Sequence, residues 1–520
     1  MSSPQEIELK FEVPIASLSG LNRGSLLKGV RSSGRKPANF VSVYFDTKKL
    51  KLRRKAVSLR VRRIGRRIVQ TVKQETGPAT FVRNEWEHDI DGQYPDLELV
   101  RETPLDSLVS KKLRRRLMPM FETRVRREVF QLQRGKSEIE LSIDKGEIEA
   151  GRKIRPICEV ELELKRGQPG DLFRIARALL EEVPAQLTIA SKAERGYRLL
   201  TGEKPGPVKA LAIVLTPDAD VQSAFQRIAW ACMHQLIANQ PVMLSGDPDG
   251  VHQMRVALRR LRAAISFFSG MLADAETGNL KSELKWLAGE LGPARELEIF
   301  FKRVVKPVVD GKPNRAGVVT LSRDLRQRRE DAIIRAHAAA DSARFRKLVL
   351  DTAAWIEAGD WISNPDISAC TLREQLISVA AANELRRRWK KLLKRGKRLD
   401  ELDAKRRHRL RIQGKKLRYA AEFFAGAFSD KKSMRRQRKF VASLEGLQDA
   451  LGDLNDIVVH EKLSERLVDG DSTAYGARAG CARKAFAAGR LSGREEARIG
   501  PVLKQAKQAY KAFAKSKPFW

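Results

Sequence analysis

Hydrophobic and polar positions alternate with two different periods along this 520-residue chain. Up to about residue 200, short segments such as Glu6–Glu12 alternate apolar and polar residues one by one, and turn formers such as Asp91-Gly92 separate them. A period of two is typical of β-strands that have one apolar face, so we predict an antiparallel β domain. Two helical interruptions are predicted within it, one near residues 105–117 and one over residues 171–182.

The period changes to 3.6 in the second part of the chain. From Pro217 to about Lys515, apolar residues recur at positions i, i+3, i+4 and i+7 in long segments rich in Ala, Leu, Arg and Lys. This pattern predicts helices throughout. The expected organisation is a β domain over residues 1–200, a Pro- and Gly-containing linker over 201–215, and a helical domain over 216–520.

The helical half contains an internal repeat. Residues 252–262 match residues 408–418, and the pair Phe267-Phe268 matches Phe423-Phe424 at the same offset. A repeat of this length predicts two homologous helical bundles, over about 216–365 and 366–520.

Each copy of the repeat places basic residues along one helix face and apolar residues on the opposite face. At about 100° per residue, four residues of each copy lie within roughly 80° of one another, namely His252, Arg255, Arg259 and Arg262 in the first and His408, Arg411, Lys415 and Arg418 in the second. Such a row of cations is unfavourable unless an anion lies across it. The alternative is a solvated basic face that pairs with acids on neighbouring helices, through Glu296 and Asp456. The histidines are expected to donate hydrogen bonds rather than to act as bases. The candidate anion-binding residues are His252, Arg255, Arg259, Arg260, Arg262, His408, Arg411, Lys415, Lys416 and Arg418.

Charged residues also alternate along the predicted strands. Carboxylates recur in residues 6–12, 138–144 and 159–165, and cations recur between them. One reading is a set of amphipathic strands whose charged sides face water. The other is a closed barrel, which would collect these side chains in an ionic lumen and leave an apolar exterior. The inward residues would then be Glu6, Glu8, Lys10, Arg60, Arg62, Lys73, Glu85, Glu87, Arg124, Arg126, Asp144, Glu159, Glu161, Glu163 and Lys192.

Such a lumen suits a short chain of phosphates bound together with a divalent metal. Six or more carboxylates in a narrow space need counter-charge to remain ionised. Oxygen-only ligands favour Mg²⁺ or Mn²⁺ over zinc. In hydrolysis the metal would neutralise charge on the transferred phosphoryl group, cations would hold the other phosphates, and a carboxylate would orient the attacking water. The sequence has no Gly-x-x-x-x-Gly-Lys-Ser/Thr phosphate loop.

The amino-acid composition narrows the classes of partner that the chain is expected to bind. The net charge of +37, with an excess of Lys and Arg in both halves, favours polyanions. Aromatic residues make up only 6% of the chain, which makes nucleic acid a less favoured partner without excluding it. The four cysteines are far apart and form no zinc or disulfide pattern, which indicates a reducing compartment. The sequence shows no signal-peptide pattern and no run of about 18 apolar residues, so we expect a cytoplasmic protein without a membrane span.

The motifs of the first half together resemble the CYTH superfamily of triphosphate tunnel metalloenzymes. They are Glu6-x-Glu8-x-Lys10, Tyr44-Phe45-Asp46-Thr47, Arg60-x-Arg62, Val69–Lys73, Glu159–Lys165 and Ser191–Tyr197. The repeated His-x-x-Arg-Val/Ile-x-x-Arg/Lys-Arg/Lys-x-Arg of the second half resembles the CHAD domain. The resemblance implies an α+β chain in which an eight-stranded antiparallel closed β-barrel, or tunnel, precedes two repeated four-helix bundles. The fused arrangement is similar to bacterial inorganic triphosphatases, which split triphosphate into pyrophosphate and phosphate with Mg²⁺ or Mn²⁺.

The same resemblance implies roles for individual residues. The metal ligands would be Glu6, Glu8, Asp144, Glu159, Glu161 and Glu163. The substrate-binding residues would be Lys10, Arg60, Arg62, Lys73, Glu85, Glu87, Arg124, Arg126 and Lys192. Catalysis would depend on Glu6, Glu8, Lys10 and Lys73. The choices between Glu85 and Glu87, and between Glu159 and Glu163, stay open.

The resemblance also implies that the helical half binds inorganic polyphosphate, with polyphosphate granules as a place of association. In the first bundle, Arg295-Glu296-Leu297-Glu298 stands where relatives show aspartates, which weakens the expected pairing with acids there. The alternatives are an organic triphosphatase or adenylate cyclase, which would act on thiamine triphosphate or ATP. A scaffold that binds polyphosphate or nucleic acid without catalysis is the third.

Overall fold

The computed structural model describes residues 6–23, 26, 37–74, 82–311, 316–469 and 478–520. In these residues a nine-stranded sheet precedes a long series of helices. The strands are β1 Glu6–Glu12, β2 Ala38–Thr47, β3 Val57–Ile64, β4 Arg67–Gln74, β5 Val82–Asp89, β6 Leu117–Arg134, β7 Ser137–Ala150, β8 Lys153–Arg166 and β9 Gln186–Leu187. The helices are α1 Leu18–Arg23, α2 Lys51–Arg54, α3 Lys111–Arg114, α4 Pro169–Glu182, α5 Lys192–Thr201, α6 Val221–Leu244, α7 Pro248–Phe267, α8 Ala275–Glu290, α9 Gly292–Phe300, α10 Lys306–Gly311, α11 Ala316–Ala340, α12 Ala343–Ala358, α13 Ile367–Glu374, α14 Ile377–Gly396, α15 Ala404–Phe423, α16 Lys431–Asp469, α17 Arg478–Glu496 and α18 Ile499–Ala514.

The strands follow the order β5-β4-β3-β2-β6-β7-β8-β1-β9, and all the named pairs are antiparallel. The ninth strand is short and pairs with Phe11 and Glu12 of β1. β1 also pairs with β5, over two residue pairs that join Glu6 to Arg83 and Ile7 to Val82. The predicted antiparallel β domain is confirmed, whereas complete closure of the barrel stays a prediction.

The register places the charged residues of neighbouring strands on one face. Residues directly opposite each other in an antiparallel pair point to the same side of the sheet. Lys10 of β1 lies opposite Glu161 of β8, and Glu161 lies opposite Ser142 of β7. On the other side of the sheet order, Arg60 of β3 lies opposite Thr71 of β4, which lies opposite Glu87 of β5.

The opposite face of the sheet carries the apolar core. Leu9 and Phe11 of β1 are fully buried, and the apolar side of α4, with Leu172 and Phe173, packs in the same part of the molecule. A second cluster lies outside β2, β3 and β4 and consists of Phe45, Leu52, Val57, Leu59, Val61, Val72, Leu97, Val100, Leu105 and Leu113. Apolar side chains therefore cover the face of the sheet that lies opposite the charged residues.

The chain forms two compact units. The first comprises residues 1–211, 230–254 and 340–362, and the second comprises residues 212–229, 255–339 and 363–520. Parts of α6 and α7, together with α12, thus belong to the unit that contains the sheet. The domain boundaries expected from the sequence stay predictions.

The second unit is helical, as predicted. Its core joins the paired phenylalanines of the two repeats, with ring centroids 6.0 Å apart for Phe267 and Phe423 and 5.9 Å apart for Phe268 and Phe424. The matching residues of the repeats therefore pack against each other, while the division into two four-helix bundles stays a prediction. Among the described residues, no helix combines the length and the apolar composition needed to cross a bilayer.

Candidate active site

Helix α5 brings two cations to the charged face of the sheet. Ser191 caps the helix by accepting a hydrogen bond from Glu194 N at 3.1 Å, the Ser-x-x-Glu arrangement that fixes a helix start. Lys192 and Arg195 are three residues apart and therefore share one side of the helix. Gly196 follows on that side, where a Cβ would lie 2.1 Å from the ring of Phe121 in β6. The missing side chain allows α5 to approach the sheet this closely.

Three buried carboxylates form a cluster beneath α5. Oxygens of Asp144, Glu159 and Glu161 all lie within 4.8 Å of one another. Lys192 Nζ lies 2.7 Å from Asp144 Oδ2 and 3.1 Å from Glu161 Oε1, and it also bonds Glu159. Lys10 Nζ lies 2.7 Å from Glu161 Oε1. The ammonium of Lys192 is thus shared by the whole cluster.

Two arginines complete the neutralisation of these acids. Arg127 donates to Asp144 Oδ1 at 2.6 Å and to Glu161 Oε2 at 2.5 Å. Arg195 donates to Glu159 and, at 3.2 Å, to Glu12 Oε1. Each buried carboxylate of the cluster therefore has at least two cationic partners, which is what a buried charge requires.

These contacts keep Asp144 and Glu161 charged at neutral pH. Burial raises the pKa of Glu161, but the positive charges of Lys10 and Lys192 outweigh burial and hold this pKa well below its usual range. Burial likewise raises the pKa of Asp144, but the positive charge of Lys192 lowers it, and the net result is a lowered pKa. Burial lowers the pKa of Lys192, but the surrounding carboxylates raise it above its ordinary value.

Across the cavity, β3, β4 and β5 carry a second charged group. Arg60 Nη2 lies 2.9 Å from Glu85 Oε1 and 3.7 Å from Glu87 Oε1, and Lys73 also pairs with Glu85. Arg62 Nε donates to Ser42 Oγ at 3.1 Å. Three cations thus share two carboxylates here, so this side has an excess of positive charge.

The excess of cations appears in their pKa values. Burial and the charge of Arg60 lower the pKa of Lys73 to about 8 and that of Arg62 to about 10. Burial raises the pKa of Glu85, but Lys73 and Arg60 lower it to about 2. A phosphate chain placed here would relieve the repulsion among the cations.

Residues of both groups line one cavity of about 390 Å³, which we call the charged cavity; of the buried cluster, Glu161 reaches it, whereas Asp144 and Glu159 lie behind its wall. Its lining residues are Glu8, Lys10, Tyr44, Ser58, Arg60, Arg62, Lys73, Glu85, Glu87, Arg127, Glu161, Glu163, Ser191, Lys192 and Ala193. Most residues that the sequence assigned to a lumen are brought together. Both members of the open pair Glu85 and Glu87 are present. Glu163 lines the cavity, and Glu159 lies behind it in the buried cluster.

The donor set of the buried cluster fits a hard divalent cation. All three ligand groups are carboxylates, whose oxygens Mg²⁺ and Mn²⁺ prefer. The ammonium of Lys192 contacts all three acids, so a metal held there would share these ligands with it. The coarse prediction of a metal-binding acidic cluster is thus supported, without a choice of metal.

Two predicted substrate-binding residues are not brought to the cavity. The side chains of Arg124 and Arg126 are 57% and 63% exposed, and they pair with acids of the outer face, Glu122 and Glu128. Their assignment to the lumen was wrong by one residue along β6. Arg127, rather than Arg126, lies opposite Asp144 in the register and shares its face of the sheet. Glu6 lies at the first position of β1, and its side chain falls outside what the structure describes.

Two site residues were missed in the sequence. Arg127 belongs to a run of cations that occupies both strand faces, so the alternation alone could not identify the inward one. Arg195 could have been found, because it lies three residues after Lys192 in a segment that starts with a helix-capping pattern.

The second unit contains a basic surface built from both repeats. We call Arg255 and Arg259 of α7, with Arg411 and Lys415 of α15, the helical basic face. Burial, then Arg411 and Arg259, lower the pKa of Lys415 to about 7, so the cations of the two repeats lie close together. The expected acid pairs are present but long: Arg255 Nη2 lies 3.7 Å from Glu296 Oε1, and Arg411 Nη2 lies 4.0 Å from Asp456 Oδ1.

The other predicted anion-binding residues lie in different surroundings. Arg260 is buried, pairs with Glu422 and stacks over the ring of Phe423 at 4.8 Å, so it packs in the core rather than on the surface. Arg418 pairs with Glu445 at 3.3 Å and with Glu422 at 3.5 Å.

Lys416 and the two histidines have other surroundings again. Burial and the charges of Arg388, Arg262 and Lys391 lower the pKa of Lys416, which therefore belongs to another basic patch. His408 Nδ1 lies 2.5 Å from Asn455 Oδ1. His252 belongs to the first compact unit.

Comparisons with known proteins agree with this organisation. The CYTH-domain family model matches residues 4–197, and the CHAD-domain model matches residues 227–465. An inorganic triphosphatase of Haemophilus influenzae is 29% identical over 209 residues, which are 38% of this chain and 55% of that protein. The match thus spans about half the length of that curated relative.

Two solved structures also match parts of this chain. The CHAD domain from the plant Ricinus communis is 29% identical with a TM-score of 0.48, over 59% of this chain and 97% of that one. A Hippeastrum adenylyl cyclase-type protein, described as having a dominant triphosphatase activity, is 20% identical with a TM-score of 0.30, over 38% of this chain and 96% of that one. The two family matches identify the chain as a CYTH domain followed by a CHAD domain.

Proposed function

We propose that the charged cavity hydrolyses inorganic triphosphate to pyrophosphate and phosphate with a divalent metal. The observation that carries this proposal is the facing arrangement of two groups around one small cavity: a buried carboxylate cluster on one side and an excess of cations on the other. A linear triphosphate with bound metal presents the complementary charges. The homologous inorganic triphosphatase supports the choice of substrate.

Each side chain has a defined task in this reaction. Arg60, Arg62, Lys73 and Arg127 hold the phosphates, so that the terminal phosphorus stays in line with the attacking water. Water oxygen bonds to that phosphorus, the bond to the bridging oxygen breaks, and the water proton passes to a carboxylate, for which we assign Glu8. Mg²⁺ or Mn²⁺, held by Glu8 with the buried cluster, would neutralise charge on the phosphoryl oxygens.

The same proposal includes a sheet that closes into a tunnel. The two backbone pairs between β1 and β5 support closure, because they join the two sides of the strand order. A closed wall would exclude water from the charged cavity and strengthen its charge pairs.

We assign polyphosphate binding to the helical basic face. Within the part of the chain that the structure describes, the ion pairs of this face are Arg255 with Glu296 at 3.7 Å and Arg411 with Asp456 at 4.0 Å. A polyanion that lies across these cations would release condensed counterions, which makes binding favourable and salt-sensitive. Cytoplasmic polyphosphate granules are the corresponding location that we propose.

The test is the substitution Glu8→Gln in the full chain. It keeps the shape of the side chain but removes the charge that binds metal and accepts the proton, so we expect phosphate release from triphosphate to fall at least about a hundredfold. Glu138→Gln is the matched control, because Glu138 is 48% exposed and pairs with Arg166 outside the cavity. Unchanged turnover in Glu8→Gln would remove Glu8 from the mechanism.

The substrate is tested with a panel of triphosphate, ATP, thiamine triphosphate and long-chain polyphosphate, each with Mg²⁺ and with Mn²⁺. The proposal requires the highest kcat/KM for inorganic triphosphate. A higher value for ATP or thiamine triphosphate would establish the organic alternative instead. Polyphosphate binding without turnover of any of the four would leave the scaffold alternative.

A further inference from the structure

The aromatic ring of Phe40 lies beside the charged cavity. Phe40 is a half-buried residue of β2, and β2 lies between β3 and β6 in the strand order. The centroid of its ring is 5.1 Å from the guanidinium carbon of Arg62 and 5.6 Å from that of Arg127. Both arginines line the charged cavity, so one ring contacts a cavity cation from each neighbouring strand.

The strand register puts Phe40 in this position. Arg62 of β3 lies directly opposite Ser42 of β2. Arg127 of β6 lies directly opposite Ala38 of β2. Phe40 is two residues from each of these positions, so it is the diagonal neighbour of both arginines on the same face of the sheet. Aromatic and long side chains reach one another across such a diagonal. The two ring contacts therefore follow from the pairing of three strands.

Arg62 is held differently from the other cations of the charged cavity. Among the described residues, Arg62 forms no ion pair with a carboxylate. The cavity cations that do are Lys10, Arg60, Lys73, Arg127 and Lys192. Instead, Arg62 Nε donates to Ser42 Oγ at 3.1 Å, and its guanidinium lies over the Phe40 ring. A hydroxyl accepts only one of the N–H groups of a guanidinium, so this arrangement fixes Arg62 and leaves most of its donors for an anion.

The two guanidiniums that meet Phe40 repel each other. Burial is the largest cause that lowers the pKa of Arg62 to about 10, and the charge of Arg127 is a further one. Arg127 is fixed in place, because it donates to Asp144 at 2.6 Å and to Glu161 at 2.5 Å. Phe40 offsets part of the repulsion, since the face of an aromatic ring carries partial negative charge and attracts cations. This attraction is strongest where water is excluded.

We propose that Phe40 is a positioning residue of the charged cavity, whose ring holds Arg62 beside Arg127 so that both are in place before the phosphates bind. The inference rests on the proposed function, because those phosphates belong to the proposed substrate. Phe40 has no proton to donate or accept and takes no part in the bond changes. Its loss should therefore weaken the binding of triphosphate and leave the rate of the bound complex almost unchanged.

The experiment compares Phe40→Leu with Phe40→Tyr in the full chain. Leucine keeps an apolar side chain without a ring, whereas tyrosine keeps the ring face. Calorimetry in the presence of EDTA measures Kd for inorganic triphosphate without metal or turnover. We expect Phe40→Leu to raise Kd about tenfold and Phe40→Tyr to stay within about twofold of the unmodified chain. In the phosphate-release assay with Mg²⁺, KM should rise about tenfold in Phe40→Leu while kcat stays within about twofold.

Two controls separate this role from simple packing. Arg62→Met removes the guanidinium, and in that background Phe40→Leu should change Kd by less than about twofold, because the effects of residues that act as a unit do not add. Phe486→Leu removes a similar contact in the other compact unit, where the guanidinium carbon of Arg490 lies 6.0 Å from the ring centroid. Phe486 is 68% exposed, and this variant should bind triphosphate as the unmodified chain does.

Three results would overturn the role given to Phe40. They are unchanged binding in Phe40→Leu, binding in Phe40→Tyr as weak as in Phe40→Leu, and full additivity of Phe40→Leu with Arg62→Met. Failure of the proposed function gives a different result, because triphosphate then binds with the expected order of affinities but releases no phosphate. A chain that does not bind triphosphate would overturn both.

Discussion

The charged cavity and the helical basic face gather cations in different ways. In the cavity, the buried acids Asp144, Glu159 and Glu161 each contact cations at hydrogen-bond distance, and the positions are fixed by strand register and by one helix. On the helical face, the nearest acids lie 3.7 to 4.0 Å from their cations. The first arrangement is preorganised for a small ligand of defined shape, whereas the second offers positive charge to a long ligand of variable conformation.

The largest effect is expected at Glu161, because this buried carboxylate pairs with three cations beside the charged cavity. Glu161→Gln removes the charge that Lys10, Arg127 and Lys192 share. Breaking a buried ion pair from one side costs about 3–5 kcal/mol, so we expect a clear fall in the thermal unfolding temperature together with loss of triphosphate hydrolysis. Circular dichroism against temperature measures the first effect. Glu138→Gln, at an exposed pair, should change stability by about 0.5 kcal/mol or less.

Acid titration of the unmodified chain examines the same charges. The pKa of Glu161 and that of Asp144 are lowered in the folded chain, so their stabilisation is present above the ordinary values of about 4 and is lost only as pH falls through the lower folded values. Stability should therefore fall with decreasing pH in Glu161→Gln by less than in the unmodified chain. Parallel curves would contradict the role given to Glu161.

Two neighbouring arginines of β6 test which residues of that strand face the charged cavity. Arg127→Ala removes two bonds to buried carboxylates and one proposed phosphate ligand, and we expect kcat/KM for triphosphate to fall about a hundredfold. Arg126→Ala, one residue away on the outer face, should stay within about twofold, because its side chain is 63% exposed. Equal losses in both variants would show that the register has been misassigned.

A smaller effect concerns the charge of Lys73. Burial and Arg60 lower its pKa to about 8, so Lys73 loses its proton as pH rises through that value. If only the ammonium binds phosphate, KM for triphosphate should rise up to about tenfold between pH 7 and pH 9. Lys73→Arg, which stays protonated in this range, should flatten the profile. A pH-dependent KM that persists in Lys73→Arg would assign the titration to another group.

The smallest effect is expected at the helical basic face, where single cations contribute little each. Arg259→Ala should lower the slope of log affinity for long-chain polyphosphate against log salt concentration by about 1. Reversing the charge of Arg255, Arg259, Arg411 and Lys415 together should abolish binding. Ser282→Ala, at an exposed serine of α8, is a control that changes no charge. Binding that survives the four reversals would place the polyphosphate site elsewhere.

Strand alternation and the internal repeat were sufficient to predict the β domain, the helical half and most of the cavity lining. They could not give the phase of β6, because Arg124, Arg126 and Arg127 put cations on both faces of that strand and only pairing with Asp144 chooses among them. Arg260 was misplaced for a related reason. Charge suggested a surface position, whereas stacking on Phe423 and pairing with Glu422 bury it.

Long-range packing was also beyond the sequence patterns. The segments 230–254 and 340–362 join the sheet-containing unit although they belong to the helical periodicity. A cavity of about 910 Å³ follows from that packing, because residues as distant as Val13 and Arg346 line it. Neither the period nor the composition of either segment indicates which partner it meets.

The approach of α5 to β6 at Gly196 has a mechanical consequence. At Gly196 the helix has no side chain toward the Phe121 ring, whose centroid lies 4.7 Å from that of Tyr44 and 5.0 Å from that of Tyr197 of the same helix. Because the three rings pack against one another, a methyl group at position 196 would push the helix away from the sheet. Lys192 and Arg195 lie on that helix. How far they extend toward the buried carboxylates therefore depends on the absence of a side chain at Gly196.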